Sequence, residues 1–476
     1  MKKIFLILFI LCWARVLCAA PATRTIIVFP FENRSASSSV GWISEAFAEV
    51  MSRRMEGPGR LVLGREECNA ASKQLGIPPD AALTLASEYM AAQTLGVDWV
   101  VTGNFQVEGQ RLSAEAQLLD VQNLKLYPPL EETDILSNLT TVETRLVWRL
   151  LAGHDPNFTS DTEQNFAARF PPIRLDAFEN YIRGILANNG AAKANFLTTA
   201  FRLDPSSHNA AYSLGRYYFQ QKDYANSALW LSKLDAADPN YLSSLFLSGV
   251  DNFFLGRDKE AEDDFSALSR QMPLNEVWNN LGVLAARRND YATAQTDFSR
   301  AYHGDPSDAD YSFNLGASYA GLDQFDEAVK YLQRAAAKDE NDLGVHTLLA
   351  YAMSKAGDTT GSKDQLSWVA SHDGKAMADL NDGILPQPRL KKRYNGAAFR
   401  LLSAAVHNSI EAVLAKEPLA EQGRFHLERG EEYIQQRRVP EAIRELEEAS
   451  SLIPENGAVH LFLGEAYEAA GKHEQA

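Results

Sequence analysis

Four glycines, Gly215, Gly249, Gly282 and Gly316, stand 34, 33 and 34 residues apart, and each is followed twelve residues later by Ser227, Ala261, Ala294 or Ala328. A period of this length is that of a two-helix hairpin repeated along the chain. One such hairpin cannot bury its apolar face alone, so successive units must stack, and stacking produces a long curved surface. A surface of that kind suits the binding of other proteins better than it suits catalysis.

The chain has 476 residues, 45% hydrophobic and 23% charged, which is globular material sufficient for two or three domains with their own cores. Lys2 and Lys3 precede an apolar run over residues 4–13, and small residues follow at Ala19, Ala20 and Ala22. This is the three-part build of a secretory signal peptide, with cleavage expected after Ala22. About ten apolar residues are too few for a spanning helix, which needs roughly 20. Cys18 follows Leu17 and Val16, not the small residues a lipid-attachment site requires. The mature chain is therefore expected to be periplasmic or otherwise exported.

Loss of Lys2, Lys3 and Arg15 would take the formal net charge from −16 to −19. So acidic a protein is a poor ligand for nucleic acid, whose phosphates call for Lys and Arg. Cys68 is the one cysteine beyond residue 22, which excludes an intrachain disulfide and a thiolate metal cage from the mature chain. It reads as a partly buried thiol near a helix start.

Residues 25–29 form a short β-branched and apolar run stopped by Pro30, a buried strand. Helical spacing of Ile43, Phe47, Val50 and Met51 predicts a helix over 40–55, and a second strand follows at 60–63. Residues 70–75 and 80–95 carry further helical pattern, with Asp80 placed to cap the second helix. Alternating runs at 99–107 and 112–119, joined through Glu108-Gly109-Gln110, predict a β-hairpin. The strand and turn IIVFPFENRS (26–35), the segment LGVDWVVTGNF (95–105) with Gly103, and QLLDVQN (117–123) with Asp120 resemble the periplasmic α/β domain of TolB-like and CsgG- or FlgO-like envelope proteins. The resemblance covers roughly residues 25–126 and implies an assembly or partner-binding part with no catalytic residues.

Glu32, Asp98 and Asp120 are the carboxylates of this region that an acid–base pair could use. No His accompanies them between residues 23 and 135, and they read as turn and capping groups. Gly57-Pro58-Gly59 lacks the spacing and Lys-Ser/Thr ending of a phosphate loop. Asn33, Asn138 and Asn157 stand in Asn-x-Ser/Thr sequons, to which no glycan is assigned in a bacterial setting.

A helix at 136–151 and a linker to about 172 lead into the repeats. Trp278, Leu281, Gly282, Ala285, Ala294, Phe298, Ala301 and Pro306 resemble the tetratricopeptide repeat, with Ala285 in place of the usual Tyr. Leu214, Gly215, Tyr218, Leu231 and Pro239, then Leu245, Gly249, Ala261, Phe265 and Pro273, then Leu315, Gly316, Tyr319, Ala328 and Leu332 keep the same frame. The array is expected over 173–370 and again over 423–476, where Gly430, Tyr433, Ala442, Leu446, Ala449 and Pro454 restore the period. Between 371 and 422 the period disappears, and this stretch is read as a hinge or a helical insertion. The last repeat stops at Ala476, where its second helix should begin, so the chain is expected to be a fragment unless another molecule completes the hairpin. The fold class is then α+β: a small α/β amino-terminal domain followed by an all-α superhelical solenoid.

In the resembled architecture the first helix of each hairpin lines the concave face. Helical geometry places Tyr212, Arg216, Phe219, Phe246, Phe253, Phe254, Asn279, Val283, Arg287, Phe313, Ala317, Tyr351 and Lys355 there. The expected groove is aromatic with a few cations, suited to an apolar segment bearing a carboxylate. Some of the aromatics could instead pack between helices. Asn280 and Asn314 occupy a place where these repeats commonly carry Asn, and could bond either a ligand backbone or a neighbouring helix. The basic cluster Arg389, Lys391, Lys392 and Arg393 reads as a solvated loop, or alternatively as a site for an acidic partner surface or anionic lipid.

The function this points to is an exported, non-enzymatic scaffold that binds partner proteins or peptides through the groove, without cofactor or metal, with any membrane contact peripheral. The alternative is an enzyme or ligand-binding protein whose site lies in the amino-terminal domain or in a missing carboxyl-terminal part. The nine His are scattered, and neither a nucleophile elbow nor metal-ligand spacing accompanies them.

Overall fold

The computed structural model describes residues 23–57, 59–78, 83–156, 158, 162–170, 172–235, 238–396, 399, 419–435 and 439–472. The expected signal peptide, Asp80 and Asn157 lie outside the described residues. The chain divides into two compact units between residues 171 and 172.

The first unit is built on a mixed sheet. Strands β1 (Arg24–Val28), β2 (Glu32–Asn33), β3 (Arg60–Leu63), β4 (Trp99–Glu108), β5 (Arg111–Asp120), β6 (Lys125–Leu126) and β7 (Leu130–Ile135) are arranged β3-β1-β4-β5-β6, with β2 also on β4 and β7 also on β5. The β1 pairings with β3 and β4 are parallel, whereas β4 and β5 form the antiparallel hairpin that Gly109 closes at φ 61°. Helices α1 (Trp42–Met55), α2 (Arg65–Gln74), α3 (Leu85–Leu95), α4 (Leu139–His154) and α5 (Glu163–Ala168) complete it. Ile27, Phe29, Leu63, Val100 and Leu119 form one core with Ala71 of α2 and Ala91 and Ala92 of α3. Phe31 stacks on Phe47 of α1 at 4.4 Å, and Phe47 in turn on Phe105. Phe31 sits directly over Gly103, where a Cβ would lie 2.4 Å from its ring and 2.2 Å from the Glu115 carbonyl.

Two details differ from the sequence expectation. Helix α3 begins at Leu85, because Thr84 accepts from Ser87 N–H while Ser87 returns a bond to the Thr84 backbone. Strand β7 follows Pro128-Pro129 with a charged, alternating sequence that shows no apolar run. Cys68 is half-buried in the first turn of α2, as its place in the sequence implies, and burial pushes its thiol up to about 12.

The second unit is a stack of helical hairpins: α6 (Leu175–Leu186) with α7 (Gly190–Leu203), α8 (His208–Gln220) with α9 (Tyr224–Leu231), α10 (Tyr241–Phe254) with α11 (Asp258–Gln271), α12 (Asn275–Arg287) with α13 (Tyr291–Gly304), α14 (Ala309–Gly321) with α15 (Phe325–Ala336), and α16 (Leu343–Ala356) with α17 (Thr359–His372). A short α18 (Gly374–Asn381) follows, and α19 (Leu419–Gln435), α20 (Val439–Leu452) and α21 (Gly457–Ala469) pack in sequence.

The periodic glycines are contact points between the two helices of a hairpin. A Cβ at Gly282 would lie 2.7 Å from the Phe298 ring, and one at Gly215 would lie 2.6 Å from Leu231. In each case the blocking side chain is sixteen residues on, and the same holds at Gly249, Gly316 and Gly430. The spacing therefore marks where two helix backbones approach most closely.

Candidate functional site

Among the first helices of the hairpins, α8 contacts α10, and α14 contacts both α12 and α16, and these helices line one face of the array. That face holds a segment of the chain itself. After Gly383 turns with φ 78°, residues 385–395 run extended back along the array, from the α14–α16 core that Leu385 touches to the α10 core that Tyr394 touches. Pro386 and Pro388 suit this conformation, since proline fixes φ and disfavours helix in the residue before it.

Three buried asparagines hold this strap. The Asn314 side-chain amide donates to the Arg389 carbonyl at 2.8 Å, and its Oδ1 accepts from the Arg389 N–H at 2.7 Å. One turn of the array earlier, Asn280 does the same to Lys391, at 2.9 and 2.8 Å. Asn279 donates to the Arg389 carbonyl at 2.8 Å and accepts from Asn314 at 2.7 Å, which links the two clamps. Each clamp satisfies both backbone groups of one strap residue, as a neighbouring β-strand would. A side-chain amide carries both a donor and an acceptor, so Asn can do this where Asp or Leu cannot.

The strap side chains are recognised by charge. Arg389 places both terminal nitrogens on Asp342, with Nη2 at 2.7 Å from its Oδ1, and reaches Asp310 at 3.1 Å. Its guanidinium lies 4.0 Å over the Phe313 ring, a cation–aromatic contact in a partly desolvated place. Gly344 leaves the room, since a Cβ there would fall 2.8 Å from an Arg389 nitrogen. The Lys391 ammonium donates to Asp308 at 2.8 Å and to Asp310 at 2.8 Å, and lies 5.1 Å from the Tyr311 ring centroid. Asn395 N–H donates to Glu276 at 3.0 Å. Tyr394 meets Phe246 edge-on at 4.9 Å and Phe399 at 4.8 Å.

The ionisation of these groups follows from the pairing. Burial pushes the Asp310 carboxyl up, but Lys391 and Arg389 more than offset that and hold it below its ordinary value. Burial likewise opposes Asp342, and Arg389 together with backbone N–H groups of α16 brings it below the usual range. Burial pulls Arg389 and Lys391 down, while the same carboxylates raise both above their ordinary values. Both cations stay charged across the physiological range.

The other residues expected in the groove fall into two groups. Phe246 and Phe313 are fully buried, the first against Phe265 and Tyr394, the second under Arg389. Tyr212, Phe219 and Phe253 pack on the α10 core, and burial, then Tyr394, push the Tyr212 hydroxyl well above its ordinary range. Phe254 is exposed, stacked on Tyr224 at 4.6 Å with the Lys392 ammonium 5.0 Å away. Arg216 lies 5.8 Å from the Tyr212 ring centroid, and Lys355 lies 5.6 Å from that of Tyr351. Arg287 pairs with Asp258 at 2.9 Å and lies 4.7 Å over Phe253, tying its own hairpin to the one before.

The charge of the groove is thus the reverse of the expected one. Arg287 is spent on Asp258, while Asp308, Asp310, Asp342 and Glu276 give the inner face an acidic lining. Arg389 and Lys391 are then not a solvated loop but the cations that meet it. The sequence does hold a signal for these acids. Asp308 and Asp342 are N-caps of α14 and α16, Asp308 accepting from Tyr311 N–H and Asp342 from Val345 N–H, so the pattern reads as capping alone.

In the first unit the candidate carboxylates are structural. Asp98 accepts from Thr25 N–H at 2.8 Å, Asp120 accepts from Asn123 N–H at 2.9 Å, and exposed Glu32 pairs with Arg34. Among the described residues no group of three His, Cys, Asp or Glu is placed to hold a metal ion. None of the described helices is long and apolar enough to cross a membrane.

Residues 186–241, 256–342 and 427–476 match the family model for the tetratricopeptide repeat. The helical array is a tetratricopeptide-repeat solenoid. Stress-induced-phosphoprotein 1 of Caenorhabditis elegans is 25% identical over 181 residues, which are 38% of this chain and 52% of that protein. The BBSome complex member BBS4 of Xenopus tropicalis is 27% identical over 110 residues, 23% of this chain and 21% of its own length. The match therefore spans about half of the first relative and a fifth of the second. Among solved structures, YrrB, described as a TPR protein with an unusual peptide-binding site, is 16% identical with a TM-score of 0.35, covering 40% of this chain and 100% of its own. MamA from residue 41 onward, from Desulfovibrio magneticus RS-1, is 16% identical with a TM-score of 0.33, covering 37% and 98%.

Proposed function

We propose that this protein is an exported, non-enzymatic scaffold of the bacterial envelope that binds partner proteins through the inner face of its repeat array. The observation that carries the reading is the set of asparagine clamps. Asn279, Asn280 and Asn314 hold an extended backbone at both its N–H and C=O groups, which is how a repeat surface grips a peptide without regard to most of its side chains. The exported setting rests on Lys2, Lys3, the apolar run over 4–13 and the small residues at 19–22. Kinship of the first unit with TolB-like and CsgG- or FlgO-like domains is part of the same proposal. Support for it comes from Phe31 seated on Gly103, which gives two of the resembling motifs one physical reason.

The test is crosslinked affinity capture from envelope extracts with the full chain, compared with Asn280→Ala/Asn314→Ala. A partner recovered by the wild type and lost or strongly depleted with the double variant supports the reading. Recovery that ignores both substitutions counts against the inner face. Protease accessibility in intact and osmotically shocked cells tests location, and a protein found only in cytosol would overturn export.

A further inference from the structure

We infer that the inner face is a site for an extended basic segment of a partner protein carrying Arg-x-Lys, and that residues 385–395 fill this site in cis until the partner displaces them. The inference rests on the binding reading above and names the chemistry of what is bound.

Charge argues first. Asp308, Asp310 and Asp342 converge on two cations, Arg389 and Lys391, and Glu276 stands at the Asn395 end. With the strap away, three carboxylates would face one another in a partly buried cleft, where like charges repel strongly. The vacated groove therefore selects for a basic replacement and against an acidic or neutral one.

The pattern of contacts argues second. The clamps touch backbone, which any extended chain offers, whereas selectivity comes from alternate side chains: Arg389 and Lys391 enter the acidic side, and Leu390 packs on the two apolar clusters built around α10 to α14. An incoming strand thus needs a cation, an apolar residue and a second cation in succession. Strap and clamps lie 75 to 111 residues apart in sequence, and Gly282, Gly316 and their partners close the α12–α13 and α14–α15 hairpins through contacts that do not involve the strap. The array between Asn275 and Ala336 can then keep its packing when the strap leaves. Tyr394 and Phe399, bedded beside Phe246, would anchor the far end.

A tethered occupant competes at high effective concentration, so a free peptide of the same sequence should bind the wild type at least about tenfold more weakly than a chain without the strap. The experiment measures fluorescence anisotropy of a labelled peptide of residues 384–395 against the full wild-type chain and a full-length variant whose residues 385–393 are replaced by a Gly/Ser stretch of equal length. A second released form, Arg389→Glu/Lys391→Glu, guards against misfolding of the first, and circular dichroism melts confirm that each retains its helices. The inference expects strong binding to both released forms and weak binding to the wild type. Binding to a released form should fall at least about tenfold with Asn314→Ala or Asp310→Asn/Asp342→Asn, and vanish for a peptide in which both cations are Glu.

Folded released chains that fail to bind the peptide, or that bind the charge-reversed peptide equally, would overturn the inference. A wild type that dimerises with rising concentration in sedimentation, by exchanging straps between copies, would overturn the assignment to a partner protein. These failures are separable from failure of the scaffold reading. A partner captured through Asn280 and Asn314 despite a peptide that does not bind sinks only the basic-segment inference, and a peptide that binds while no partner is captured sinks only the scaffold reading.

Discussion

Lys222, Asn289 and Asp323 adopt φ of 60°, 61° and 57° at the same place in successive hairpin turns, the place that Gly256 and Gly357 fill at 72° and 89°. A residue with a Cβ pays roughly 1–2 kcal/mol in this region, and Asn and Asp recover part of it through local hydrogen bonds while Lys does not. Lys222→Gly is therefore expected to stabilise the array by up to about 1 kcal/mol, read as a higher midpoint in urea. Cys68 supplies a second expectation at this scale. Burial first, then Glu45, lifts its thiol to about 12, so the native protein should resist alkylation at about pH 8 and react only once unfolded. Native labelling at the rate of a free thiol would show that α2 opens readily.

At the scale of the element, the hairpin depends on close approach at one glycine. Gly282→Val would drive side-chain atoms into Phe298, which already lies 2.7 Å from where a Cβ would be. Overpacking of this kind costs about 1–3 kcal/mol, and a lower melting temperature of the full chain would register it; an unchanged one would mean that the helices slide apart freely. This contact is also why the array could be read from sequence: its glycine and its Leu or Phe partner recur sixteen residues apart with no help from distant parts of the chain. Helix α3 shows the limit of local reading, since pattern extended it to Asp80 while the Thr84–Ser87 exchange of bonds starts it at Leu85. The strap was not legible at all. Its clamps reach across 75 and 111 residues, an extended strand between prolines has no period, and the acids it meets are disguised as caps. Asn280 and Asn314 were visible as candidates for a ligand backbone, but what they hold could be learned only from the fold.

Across the whole molecule, two sets of carboxylates respond to pH in opposite ways. Asp310 and Asp342 are held below their ordinary values by Arg389 and Lys391. Their contribution is present above about pH 4, the unfolded value, and fades as pH falls further. Arg389 and Lys391 are raised, so their contribution persists until pH climbs past the ordinary lysine value. The strap should stay closed between about pH 5 and 9, loosening in acid and again once pH passes the ordinary lysine value. Asp251, Asp264 and Asp297 behave otherwise. Burial, more than any neighbour, lifts Asp251 to about 8, with Asp264 and Asp223 adding to it and Ser227 opposing. Burial also lifts Asp264 and Asp297 to about 6, against Ser248 and Asn252 in one case and Arg300 in the other. Asp251 is fully buried with no cation beside it and only the buried Ser227 hydroxyl favouring its ionised form, a poor place for a charge and a good one for a protonated carboxyl. A carboxyl whose folded value is raised holds its proton more tightly when folded, so stability falls as pH rises from about 4 to the folded value. The array is expected to lose stability on the order of a few kcal/mol between about pH 5 and 8.5, most of it through Asp251. Asp251→Asn should flatten that slope in urea titrations, while hydrogen-exchange protection of the Arg389 and Lys391 amides stays level over the same range. A slope that survives the substitution would place the burden on Asp264 and Asp297. Protection that falls together with stability would mean that strap and array open as one unit, contrary to an occupant that leaves while the hairpins hold.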